Sequence, residues 1–461
     1  MAAAQEQFQE TTRFLTWARE QLAIRGTVVM GCLEEKLREA LRRDACRCLE
    51  DLLNDPAVKV PGDQTRAGES RHAGRVNTVD SVFGPLVLRR NYYSQRDGSG
   101  GRVPLDESLG IVEGCTPGLA RLMCRAGALE PYEDASQSLK IYCGLTIKGR
   151  RIQRLIQRLG PEFAQWTQRQ PAPTSLPAGT VFYVEADGTG VPVRRQETMG
   201  RKGKGEDGQA RTREIKVGVV FTQAPLEKPV PGTKTKGQKK SERESRPERV
   251  PGSTRYVTTT GQAQEFGQRL RDLACRQGMG LAARVVFLGD GAAWVWELAR
   301  VCFPFATLIL DFYHAAEHVG LLTEILFGKD TPQAKAHREA WVKILKDKED
   351  GVNEIIRRAK TAMPRRGKIR RLASKALAYF ETNRDKMRYW EYQAQRLFIG
   401  SGVVEAGCKT VVGQRLKQSG MFWGIPGAHN ILDIRSVLEN DCFDQFWNER
   451  PLTTQNLAEA A

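Results

Sequence analysis

The chain has 461 residues, room for two or three domains at roughly 100 to 200 residues each. Its 71 Lys and Arg outnumber 54 Asp and Glu, a formal charge of +17, and such an excess gathers polyanions, which makes nucleic acid the leading partner. The opening MAAAQEQFQETTRFLTWARE has no apolar signal core and no stretch reaches the ~18 apolar residues of a membrane span, so secreted and membrane classes are set aside and a cytoplasmic location is expected.

Apolar positions Phe8, Phe14, Leu15, Leu22, Leu33, Leu37, Leu41, Leu49, Leu52 and Leu53 recur at helical spacing, predicting two helices up to about residue 55 that break near Gly26. A polar, Gly-containing stretch follows, the whole forming an N-terminal helical region over 1–75. VDSVFGPLVLRRNYYSQ (79–95) sets β-branched and aromatic residues around a Gly-Pro turn, a hairpin signature, and RDGSGGR is its loop exit, giving a hairpin segment over 76–106.

Helical patterning returns over 107–170. Within it ASQSLKIYCGLTIKGRRIQRLIQRLG (135–160) reads as a helix ending near Gly144, a turn with Thr146 as cap, and a second helix carrying Lys148, Arg150, Arg151, Arg154 and Arg158. That is a helix-turn-helix layout with DNA-contact residues crowded at the start of the second helix; the alternative is a helical hairpin with a solvated basic face.

PAPTSLPAG (171–179) is a Pro-rich linker and a domain boundary. Beyond it the order is three strands, a helix, a strand, a helix and a strand, a mixed α/β sheet covered by helices and the element order of a ribonuclease-H-like core (180–314). The Lys-, Arg- and Pro-rich stretch 227–252 interrupts it as a predicted loop, either a DNA-backbone arm or a solvated extension. An all-α insertion is expected over 315–400, core helices over 401–447 beginning with a basic amphipathic helix at 401–423, and a tail over 448–461. The ten cysteines, with only Cys46 and Cys48 close together, suggest neither a disulfide framework nor a zinc motif, but reduced and mostly buried thiols.

Five Asp-Gly pairs occur, at 97, 187, 207, 290 and 350, and the dipeptide by itself signals only a turn. Asp187 and Asp290 stand apart because each follows a buried-strand run, VFYVEA and RVVFLG, and is expected where the strand leaves the sheet. Two carboxylates at neighbouring strand ends repel unless a cation or proton lies between them. Oxygen ligands with few His or Cys nearby favour Mg2+ or Mn2+, and two ions ~3.5–4 Å apart suit displacement at phosphorus. Glu405, in the small-residue stretch SGVVEAGC, is the candidate third carboxylate; the alternative is an acid favoured at a helix N-terminus. In DFYHAAEH (311–318), His314 and His318 share a helix face, which allows a zinc site, but Asp311 and His314 fit better as DNA-positioning or proton-handling groups.

Together EADGTGVPV, GRKGKGEDGQARTREIKVGVVFTQ, FLGDGAAWVW, DFYHAAEH and SGVVEAGCKTVVGQRLKQSGMFW resemble the Mutator-like insertion-sequence transposases of bacteria, most closely their ISKra group. The resemblance spans residues 181 to about 447 and extends weakly to the FGPLVLRRNYY hairpin. It implies a ribonuclease-H-like fold and a catalytic, metal-binding triad of Asp187, Asp290 and Glu405 on two Mg2+ ions, Mn2+ substituting. His314 would position the phosphate, with Asp311 and Trp294 as auxiliary residues. It also implies double-stranded DNA partners (terminal inverted repeats and target), a homodimer or higher oligomer, and a nucleoid-associated location. Arg201, Lys202, Lys204, Lys409, Arg415 and Lys417 are further candidate backbone contacts. Where relatives often carry a cysteine-containing, zinc-ribbon-like segment, NYYSQRDGSGGRVPLD has no cysteine. The rival functions are a nuclease that cuts without joining, a catalytically silent DNA-binding derivative, and a glycosidase, which the basic charge disfavours.

Overall fold

In a computed structural model, residues 8–25, 29–203, 209–224 and 247–450 are described. The predicted break at Gly26, Lys204, most of the 227–252 loop and all but the start of the 448–461 tail lie outside them. The chain forms two compact units, Met1–Glu162 with Cys442–Ala461, and Phe163–Asp441.

In the first unit, helices α1 (Gln9–Arg25) and α2 (Met30–Asn54) precede a three-stranded antiparallel sheet, β1 (Glu69–Asp80), β2 (Pro85–Gln95) and β3 (Gly101–Arg102). Val79, Leu86 and Leu88 pack on Leu49 and Leu53 of α2. Glu50 and Asn54 fasten that helix to the β2 backbone, accepting Val87 N at 2.6 Å and Arg89 N at 2.7 Å. The first strand begins at Glu69, ten residues earlier than the hairpin predicted from VDSVFG. Most of its early residues are exposed, so burial leaves no apolar alternation there to read.

Four helices follow: α3 (Pro104–Leu109), α4 (Pro117–Leu129), α5 (Tyr132–Cys143) and α6 (Gly149–Arg169). The α5 helix stops where Gly144 takes a left-handed conformation at φ 65, which costs glycine little. The α6 helix starts at Gly149, so its cap position falls on Lys148 and not on Thr146. It continues through Pro161, and the division between the units therefore lies inside a helix, ahead of the Pro-rich stretch 171–179. Residues 442–450 return to the first unit, where Arg450 bonds Glu162 at 2.9 Å and the Gly110 carbonyl at 2.9 Å.

The second unit is built on a five-stranded sheet in the order β6-β5-β4-β7-β8, with β4 (Val181–Pro192), β5 (Thr212–Gln223), β6 (Arg255–Thr259), β7 (Arg284–Gly289) and β8 (Thr307–Leu310). The β4–β5 and β5–β6 pairs are antiparallel, while β4–β7 and β7–β8 are parallel. Alternation along the strands divides the core. Phe182, Val184, Val285 and Phe287 face α7 (Ala263–Arg276) and α8 (Ala293–Cys302), covering one side.

Tyr183, Phe221, Val286, Leu288 and Ile309 face the other way, onto α9 (Phe312–Phe327), α10 (Pro332–Asp347), α11 (Gly351–Ala362), α12 (Lys368–Asn383) and α13 (Tyr389–Ala394). The segment expected as an all-α insertion is thus one of the two helical layers that bury the sheet. Helix α14 (Gly402–Gly407), a π-helical turn (Cys408–Gly413), a last turn Gln414–Leu416 and α15 (Ile425–Glu439) complete the unit. The single amphipathic helix expected at 401–423 is therefore interrupted. Buried Arg435 donates to the Thr410 and Val411 carbonyls beside the irregular turn. Among the described residues no helix is long and apolar enough to cross a membrane. Four of the ten cysteines are buried, Cys115, Cys124, Cys302 and Cys408, fewer than expected, because Cys32 and Cys275 lie on exposed helix faces and the rest are half-covered.

Candidate functional site

The parallel pairings of β4, β7 and β8 stop at one level. Ala186 pairs with Gly289, Gly289 pairs with Leu310, and the next residues are Asp187, Asp290 and Asp311. Asp187 is not at a strand end as expected. Its strand runs on to Pro192 against β5, and only its parallel pairing with β7 stops before it. That still leaves its carboxylate at the open edge of the ladder, beside Asp290. Asp187, Asp290, Asp311, His314 and Glu405 line one cavity of about 250 Å³.

The two aspartates are held differently. Asp187 Oδ1 accepts its neighbour Gly188 N at 2.6 Å, and Oδ2 accepts the Cys408 thiol at 3.4 Å. Burial raises its carboxyl above the ordinary range, and the charges of Asp290 and Glu214 push it further up. Asp290 Oδ1 accepts Ala292 N at 2.9 Å, which shapes the turn into α8. Gly291 between them has φ +102, and a Cβ there would meet the Tyr379 hydroxyl at 3.0 Å, so glycine suits both the backbone and the space.

Asp311 serves the framework. It is 1 % exposed, its Oδ1 accepts His314 N at 2.7 Å as the cap of α9, and its Oδ2 accepts both the N–H and the hydroxyl of Ser401. The acid thus clamps the segment leading to Glu405 onto the end of β8 while also lining the carboxylate cavity. His318 stacks on Tyr379 at 3.6 Å between centroids, and burial lowers its basicity. The His314 and His318 rings stand 5.0 Å apart, and among the described residues no third His, Cys, Asp or Glu joins them to hold a metal. His314 stays half-exposed on the cavity wall, its Nδ1 3.7 Å from Glu317 Oε2.

Glu405 occupies the first turn of α14 and is exposed, so the stretch that looked devoid of a solvent face has one. The small residues around it answer to packing. A Cβ on Gly407 would stand 2.5 Å from the Tyr256 ring, so only glycine lets α14 lie this close to the sheet.

Glu185, which the sequence reading passed over, is the anchor of that helix. Fully buried on the same strand face as Asp187 and Tyr183, it accepts Val404 N at 2.8 Å through Oε2, while Oε1 has no partner. Burial pushes its carboxyl up to about 8, and the nearby Asp311 and Glu405 charges act in the same direction. A glutamate inside an otherwise apolar strand run was the available signal. Tyr379, from α12, was also missed; it reaches the Asp290 carbonyl at 3.5 Å.

The basic candidates separate by environment. Lys148 at the cap of α6, and Arg150 and Arg154 on it, are exposed. Arg151 is not available for DNA: it bonds Asp80, the Gly114 carbonyl at 3.2 Å and the Cys115 sulfur, joining α6 to the end of β1. Arg415 is 1 % exposed with its guanidinium over the Trp423 ring at 5.0 Å, which removes it as a backbone contact. Lys409 is exposed, and Lys417 is exposed while bonded to Thr189 on β4. Arg201 and Lys202 are exposed beside a second, basic cavity. Trp294 lies edge-on to Phe266 at 6.0 Å on the α7–α8 side and does not line the carboxylate cavity, against the auxiliary role expected of it.

The donor set offered to a metal is oxygen-rich and converges on one cavity, a fit to hard divalent cations. As arranged, no three His, Cys, Asp or Glu among the described residues stand close enough to ligate one ion. Of these cavity residues Asp311 is buried and Glu405 is exposed.

Residues 28–204 match the family model described as Uncharacterised protein family (UPF0236), a match that includes Asp187 and stops short of Asp290 and Glu405. No curated protein matches the chain.

Proposed function

We propose that this protein is a DNA transposase of the Mutator-like, ISKra-type class, with a ribonuclease-H-like core, acting on DNA in the bacterial cytoplasm as a dimer or higher oligomer. The observation that carries this is the common level of Asp187 and Asp290, each one residue past the Ala186–Gly289 pair, with Glu405 on the same cavity. The five-stranded sheet, with both antiparallel and parallel pairs, is the mixed sheet that the element order led one to expect, and it supports this reading.

Asp187, Asp290 and Glu405 would hold two divalent cations, Mg2+ with Mn2+ substituting. When bound, such ions lower the cost of charge on the attacking and leaving oxygens at phosphorus. The chain's own groups do the rest. Glu185 and Asp311 hold the start of α14, whose Glu405 lines the same cavity as the two aspartates. His314, half-exposed on the cavity wall, would orient a phosphate oxygen. Exposed Lys148 at the cap of α6, with Arg150 and Arg154 on it, would contact the backbone of an element end, as would Lys409.

Incubating the full chain with element-end DNA, target DNA and magnesium tests this. Joined products that vanish in Asp187→Ala support a transposase. Cleavage without joining assigns a nuclease, and binding without either assigns a silent DNA-binding protein.

A further inference from the structure

The second cavity of the Phe163–Asp441 unit is larger, about 760 Å³, and lies past the end of β4. Arg194, Arg195, Arg201 and Arg211 line it together with Met199 and Phe422, and among the described residues no acidic one does. Phe422 is 63 % exposed and Met199 78 % exposed, a high cost for apolar side chains with nothing to cover. The position of Phe422 is built in. Val193 bridges Trp423, with Arg194 N donating to the Trp423 carbonyl at 2.9 Å and Trp423 N to the Pro192 carbonyl at 3.1 Å. Glu197, the nearest acid in sequence, accepts Ile425 N at 3.2 Å and stays out of the lining. Among the described residues no carboxylate pairs with Arg194, Arg195 or Arg201.

Guanidinium groups around an exposed aromatic ring suit a ligand with phosphates and a flat apolar face. The volume falls within the roughly 300–1,000 Å³ of small-ligand pockets. Arg194 lies seven positions along the chain from Asp187, at most on the order of 23 Å if fully extended, and Lys417 sits between them on Thr189. A single DNA strand covers that span in a few nucleotides.

We propose that this cavity takes an unpaired nucleotide of the DNA strand leading away from the Asp187–Asp290–Glu405 site, its base against Phe422 and its phosphates against Arg194, Arg195 and Arg201. The strand's path from that site rests on the proposed function; the cavity's preference for single-stranded DNA does not. Stacking on one ring tolerates any base, so the site holds the strand without reading its sequence.

The test is binding of a fluorescent oligothymidylate to the full chain without metal, with duplex DNA of equal length as competitor. Phe422→Ala is expected to weaken single-strand binding about tenfold and Phe422→Tyr to restore it, while the salt dependence stays unchanged. Arg194→Ala with Arg195→Ala should flatten the salt dependence. Both variants alter exposed side chains, and unchanged melting curves check the fold. Wild-type affinity in Phe422→Ala, or equal loss of duplex and single-strand binding, overturns the proposal. Because no catalysis is read, Phe422-dependent binding without any strand joining would leave this site standing and defeat the transposase assignment. Joining with Phe422-independent binding would do the reverse.

Discussion

Glu185 accepts the backbone N–H of Val404 at 2.8 Å, so a buried acid on β4 fixes the helical turn that presents Glu405. Its second oxygen has no partner, and the carboxyl is pushed up to about 8 by burial. Folded chain therefore binds a proton at Glu185 that unfolded chain releases near its ordinary value. The resulting stability is complete below about pH 4.5 and is lost as pH rises through about 8. Glu185→Gln keeps an acceptor for Val404 and cannot ionise. In metal-free buffer it should melt a few degrees above the parent at about pH 9 and match it near pH 4. Glu185→Leu strands the Val404 N–H at a cost of about 1–3 kcal/mol and should lower melting at every pH. A Glu185→Gln advantage that is the same at both ends of the range would contradict this.

The arginines of α6 are expected to divide into one structural and several DNA-facing residues. Arg151→Ala should cost about 1–2 kcal/mol in urea unfolding, since it leaves the Asp80 carboxylate without its ion pair and removes one of the two donors to the Gly114 carbonyl. Lys148→Ala, Arg150→Ala and Arg154→Ala should leave unfolding unchanged. Each should lower the slope of log affinity against log salt by about 0.9 if it meets a phosphate of duplex DNA.

Gly407 measures how tightly the Glu405 helix is seated. A Cβ would stand 2.5 Å from the Tyr256 ring. Gly407→Ala is therefore expected to destabilise by about 1–3 kcal/mol in urea unfolding and to reduce DNA joining as α14 shifts. Full activity in this variant would mean that Glu405 need not be held at its present distance from Asp187.

Cys408 is buried, and its thiol is raised well above the usual thiol range by burial first and then by Asp187. Alkylation near neutral pH, read by mass spectrometry of the folded chain, should modify exposed Cys32 and Cys275 and spare Cys408. Labelling of Cys408 at the rate of Cys32 would show that the Asp187 pocket opens in solution.

Much of the site was legible because buried strands advertise themselves. VFYVEA and RVVFLG are apolar runs apart from Glu185 and the leading Arg284, and their parallel pairing brings the following aspartates level. Glu185 was hidden inside one of those runs, where only burial distinguishes a helix anchor from a surface acid. Arg151 and Arg415 show the same limit from the basic side: charge in a sequence does not reveal whether a guanidinium meets water, a carboxylate or a ring. The early part of β1 was illegible because its exposed residues give no alternation, and Tyr379 reaches the Asp290 turn from α12, 89 residues later.

Joining of element-end DNA to target DNA in magnesium, compared across the parent, Asp187→Asn, Asp290→Asn and Glu405→Gln with DNA binding measured in parallel, is the most direct test of a shared carboxylate site. If the three act as one unit, each substitution lowers joining by ~10³-fold or more, combining them adds little, and DNA binding is retained. Parent-level joining by Glu405→Gln beside an inactive Asp187→Asn would contradict the triad, and parent-level joining by Asp187→Asn would contradict the site altogether.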